Sequence, residues 1–80
     1  MNKLSRNISG QELIKALKVL GYEPTRKVGS HIRLTTESNG IHHITIPDHS
    51  PIKIGTLSGI YKDIANHFQI SKAELFEKLQ

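Results

Sequence analysis

The sequence predicts an α+β domain: a helix, three strands of one antiparallel sheet, a second helix packed with the first on one sheet face, and a short C-terminal helix. Three observations carry that expectation. Ser9-Gly10-Gln11-Glu12 and Ser71-Lys72-Ala73-Glu74 each read as a capping box, which marks two helix starts. Apolar spacing changes from a period of about 3.6 residues to one of about 2 after Tyr22. Ser38-Asn39-Gly40 then supplies an Asn-Gly turn between two alternating segments, the mark of a hairpin.

Each element follows from its residues. Ile8 before the first cap and Leu13 inside the helix pair as a hydrophobic staple, and Leu13, Ile14, Leu17 and Leu20 repeat at helical spacing up to a Gly21 stop. The first strand is expected over Tyr22 to Val28, with Pro24 marking it as an edge or irregular strand because proline has no amide to donate. Gly29-Ser30 turns the chain. In the second strand, His31 to Thr36, Ile32 and Leu34 fall on one face while His31, Arg33 and Thr35 fall on the other. The third strand is expected over His42 to Ile46, with Ile44 and Ile46 inward and Pro47 as its end. A second helix runs from about Ile54 to His67 on a Leu57, Ile60, Ile64 stripe, and the last carries Leu75, Phe76 and Leu79.

The 80 residues make a single domain over 1–80, without repeats, low-complexity tracts or a linker. Eleven Lys and Arg against seven Asp and Glu give a formal charge of +4, which suits a nucleic acid or an acidic protein partner. The absence of cysteine excludes disulfides and thiolate metal sites. Met1 to Ser9 lacks the apolar run of a signal peptide and no segment has the length of a membrane span, so a cytoplasmic protein without membrane association is expected.

The functional signal lies in Lys27-Val28-Gly29-Ser30-His31-Ile32-Arg33-Leu34. It sets a histidine after a Gly-Ser turn, between cations and on the face opposite Ile32 and Leu34. Histidine is the side chain that exchanges protons most readily near neutrality, so one among cations can meet a phosphate and move a proton beside it. If the first strand keeps its register, Lys27, His31, Arg33, His43 and Thr45 share the open sheet face or its rim. Lys53, near the start of the second helix, is a further candidate for phosphate contact.

The chain resembles the HicA, or YcfA-like, family of toxin–antitoxin mRNA interferases. The resemblance rests on Ser9-Gly10 with the Leu13, Leu17, Leu20, Gly21 helix, on Gly29-Ser30-His31 with Ile32 and Leu34, on Ile44-Thr45-Ile46-Pro47, and on Ile54-Gly55-Thr56-Leu57. It implies a double-stranded-RNA-binding-like α-β-β-β-α fold, ribosome-independent cleavage of mRNA without a cofactor, and silencing by a HicB-type antitoxin. It also implies that His31 is the catalytic residue and that Gly29 is part of the site.

On that reading His31 moves the proton, Lys27 and Arg33 hold the phosphate and developing charge, Gly29 permits close backbone approach, and Ser30 donates a hydrogen bond. No metal is expected. His42 and His43 are strand neighbours that point to opposite faces, which argues against a zinc site built from them with His49 and Asp48. The competing readings are an RNA-binding module without chemistry and a domain whose basic face serves only an acidic protein partner.

Overall fold

Local hydrogen bonding explains why the first helix begins and ends where it does. In the computed structural model, which describes residues 7–80, the Glu12 amide donates to Ser9 Oγ at 3.1 Å and the Ser9 amide donates to Glu12 Oε1 at 3.0 Å. Helix α1 spans Gly10–Leu17 and tightens into a 3-10 turn over Lys18–Leu20. Gly21 then takes a left-handed φ of 85°, its amide donating to the Lys18 carbonyl at 2.9 Å. The reading of Met1 to Ser9 falls mostly outside the described residues. Among the described residues, no helix is long and apolar enough to cross a membrane.

Strands β1 (Glu23–Val28), β2 (His31–Thr36) and β3 (His42–Pro47) form an antiparallel sheet in the order β1-β2-β3. Ile32 faces Ile46 and Leu34 faces Ile44 across the β2–β3 pair, so one face presents four aliphatic side chains. Helix α2 (Ile54–Phe68) contributes Leu57, Ile60 and Ile64 to the same core, and α1 contributes Leu13 and Leu17. Burying each such side chain contributes about 1.5–3 kcal/mol. A second capping box at Ser71 and Glu74 opens α3 (Lys72–Lys78), which buries Leu75, with Leu79 following. The α-β-β-β-α order, the antiparallel sheet and the short last helix are those read from the sequence.

Three details differ. Tyr22, placed in the first strand by its pattern, is fully buried just ahead of β1. Pro47 lies within β3 rather than after it, which its missing amide allows because β3 pairs with a neighbour on one side only. The third concerns function: β1 does not keep its register. Glu23 and Pro24 face Thr35 and Leu34, but Arg26 rather than Thr25 faces Arg33, because a bulge lies between Pro24 and Arg26. Arg26 to Val28 keep the register set by the Gly29-Ser30 turn, and the inserted residue puts Glu23 and Pro24 out of step with them.

Candidate functional site

The tight Gly29-Ser30 turn decides which cation joins the open face, because it sets Val28 directly opposite His31. With Arg26 opposite Arg33 and Val28 opposite His31, Lys27 pairs with Ile32 and shares the core-side register. Its ammonium lies 3.8 Å from Asp48 Oδ2. The expectation that Lys27 stands beside His31 on the open face is therefore corrected: Arg26 takes that place. The signal was the two-residue turn itself, which pairs Lys27 with Ile32; the bulge beyond Arg26 changes only the facing of Glu23 and Pro24.

His31 opens β2 immediately after a two-residue turn. Gly29 has a φ of 59° and Ser30 has no positive φ, the pattern of a hairpin turn that needs glycine at its first central position. No atom lies within 4 Å of where a Gly29 Cβ would sit, so conformation rather than crowding requires the glycine. The Ser30 carbonyl accepts from the Asp48 amide at 2.7 Å, tying this turn to the loop after β3.

Two shallow depressions meet at His31. One, of about 170 Å³, lies on the sheet face and is lined by Arg26, Val28, His31, Arg33 and Thr45. The other, of about 280 Å³, runs toward α2 and is lined by His31, Thr45, Pro47, His49, Ile52, Lys53 and Thr56. His31 and Thr45 belong to both, so the depressions join into one groove carrying two arginines, one lysine and two imidazoles, with no carboxylate in its lining. The nearby Asp48 carboxylate is engaged by Lys27 and by the Gln11 side-chain amide, which donates to it at 3.2 Å.

The groove ends at the start of α2. Lys53 is its N-cap residue and makes no side-chain capping bond, and the first turn holds no acidic residue. The leading amides and the helix dipole thus add positive potential beside the Lys53 ammonium. Of the residues singled out from the sequence, His31, Arg33 and Lys53 line the groove, Gly29 and Ser30 form the turn beside it, and Lys27 lies outside it. Thr45, expected on the open face, lines it too, and Arg26, His49 and Thr56 add further polar side chains. His49 had drawn notice only as an unconvincing metal ligand. Among the described residues, no three His, Asp or Glu side chains are gathered to hold a metal ion.

The remaining histidines are engaged elsewhere. His42 Nδ1 lies 2.7 Å from the Tyr22 hydroxyl and its Nε2 lies 3.2 Å from Asp63 Oδ1, while its ring stacks on His67 at a centroid distance of 4.3 Å. His67 Nε2 donates to the Ser38 carbonyl at 2.9 Å, and His43 Nδ1 lies 2.8 Å from Thr35 Oγ1. Burial, reinforced by the Asp63 carboxylate, pushes the Tyr22 phenol above its usual range. The cluster of Tyr22, His42 and His67 joins β3 to the end of α2 and forms part of the frame.

A one-sided antiparallel sheet in α-β-β-β-α order, with a cationic groove and an unengaged imidazole on its open face, defines a small basic α+β protein. The chain belongs to the HicA family: the model for the HicA toxin of bacterial toxin–antitoxin systems matches residues 10–65, from the first residue of α1 into the last third of α2. It is therefore a toxin of a toxin–antitoxin system, and every groove residue lies within the matched span. No curated protein and no solved structure matches the chain.

Proposed function

We propose that this toxin is an endoribonuclease that cleaves mRNA in the cytoplasm by proton transfer through His31, and that a HicB-type antitoxin restrains it. The observation that carries the reading is the exposed His31 imidazole, without a hydrogen-bond partner among the described residues, where two cationic depressions meet. An RNA backbone fits such a groove because its phosphates are matched by Arg26, Arg33 and Lys53. The arginines also stabilise charge that develops on phosphorus as the 2′-oxygen attacks. A positioned imidazole accelerates such a step by about 10²- to 10⁴-fold, enough for a slow toxin.

Purified protein incubated with RNA in excess EDTA is expected to cut it, leaving 2′,3′-cyclic phosphate and 5′-hydroxyl ends visible by end-specific labelling. RNA that is bound but stays intact would overturn the nuclease reading and leave a binding module. The opposite facing of Arg26 and Lys27 makes a separate prediction about affinity, testable with 2′-O-methyl RNA, which lacks the attacking hydroxyl. Replacing Arg26 by alanine is expected to weaken binding and reduce the slope of log affinity against log salt by about 0.7, the value for one lost phosphate contact on a single strand. Lys27→Ala should leave that slope unchanged. Equal slopes for the two variants would show that the groove is not where RNA lies.

A further inference from the structure

We infer that His49 is a second catalytic residue: the general acid that protonates the departing 5′-oxygen while His31 takes the proton of the 2′-hydroxyl. This rests on the ribonuclease reading above and extends it. In-line displacement places the attacking and departing oxygens on opposite sides of phosphorus, so one imidazole cannot serve both at the same moment. The groove supplies a second one. Of the five histidines, His42, His43 and His67 are engaged with Tyr22, Thr35, Asp63 and Ser38. His31 and His49 are exposed, have no side-chain partner among the described residues, and line the same depression.

His49 also sits on a loop whose backbone is held in place. Its own carbonyl accepts from the Gly10 amide at 2.9 Å, the Asp48 amide donates to Ser30 at 2.7 Å, and the Ile52 amide donates to Ile8 at 2.8 Å. Ile52, 2% exposed, anchors the far end of the loop in the core. The bond to Ser30 joins the loop directly to the turn that presents His31. An exposed side chain on a fixed backbone is how a scaffold places a reacting group.

The step balances without another reactant. A neutral His31 nitrogen accepts the 2′-hydroxyl proton as the bond from the 2′-oxygen to phosphorus forms. The bond from phosphorus to the 5′-oxygen breaks, and protonated His49 delivers its proton to that oxygen. The products are a 2′,3′-cyclic phosphate and a 5′-hydroxyl, with His31 charged and His49 neutral until solvent restores both.

The test uses the full chain and an RNA oligonucleotide whose mapped scissile 5′-oxygen is replaced by sulfur, a leaving group that departs without protonation. His49→Gln is expected to cut ordinary RNA about 10²-fold more slowly than the parent, and to cut the sulfur substrate within a few-fold of it. His31→Ala should be slow on both, and the alkaline limb of the parent's pH–rate profile should vanish in His49→Gln. His49→Asn serves as a second variant, and unchanged unfolding midpoints exclude a folding defect. If the parent cuts and His49→Gln cuts ordinary RNA equally well, this inference fails while the nuclease reading stands. Equal slowing on both substrates, or rescue of His31→Ala instead, also overturns the assignment. A parent that cuts neither substrate overturns the nuclease reading itself.

Discussion

His31→Ala is expected to abolish RNA cleavage, lowering the rate by about 10²- to 10⁴-fold, while leaving the fold intact. The stability half of that expectation follows from position. His31 is exposed, opens β2 with its backbone in the ladder, and has no side-chain partner among the described residues. Truncating such a side chain changes stability by no more than about 0.5 kcal/mol. RNA affinity should also be nearly preserved, since Arg26, Arg33 and Lys53 remain. The measurements are cleavage rate, denaturant midpoint and binding to 2′-O-methyl RNA. In cells, the variant should relieve the growth arrest caused by expressing the parent without an antitoxin. A variant that unfolds at the parent's midpoint yet cuts at the parent's rate would remove His31 from the mechanism.

The second large effect is structural. A Cβ added at Gly10 would collide with the Pro47 carbonyl oxygen and lie 3.1 Å from Asp48 Cα, and both obstacles are backbone. Neither can swing aside as a side-chain tip would. Gly10→Ala must therefore push the start of α1 away from the loop after β3 and strain the bond from Gly10 to the His49 carbonyl. A loss of about 1–3 kcal/mol is expected, seen as a lower urea midpoint at unchanged slope. Gly59→Ala is the matched control. Gly59 is exposed inside α2, nothing lies within 4 Å of its added Cβ, and alanine should stabilise the helix by about 0.8–1 kcal/mol. If both substitutions stabilised the protein, the close approach of α1 to the loop would not be a constraint on this fold. Because that loop carries His49, Gly10→Ala should also slow cleavage more than its loss of stability accounts for.

Much of the molecule could be read without coordinates because the relevant forces act over a few residues. The capping boxes at Ser9 and Ser71 satisfy amides three positions away, and the helices begin there. Alternation in His31 to Thr36 put Ile32 and Leu34 inward and His31 outward, and the burial of those residues follows it. The Asn-Gly signal marked a hairpin and β2 pairs with β3 there, but through a longer loop over residues 37–41 between Thr36 and His42, in which Asn39 and Gly40 both take positive φ. Where the sequence offered no glycine to end α2, Gln69 adopts the left-handed conformation with a φ of 56°.

By itself, then, the order of residues determined the elements, the core face of each strand, and the exposure of the histidine after the Gly-Ser turn. Assembly decided which charges stand beside it. The pairing of β1 with β2 across the Gly29-Ser30 turn set Arg26 toward the groove and Lys27 on the side of Asp48. Hydrogen bonds from Asp48 to Ser30 and from Gly10 to His49 brought a second imidazole to the same cleft. Period and capping are fixed by neighbours along the chain, whereas a bulge or a pinned loop is chosen by how distant backbone groups satisfy one another once the core has closed.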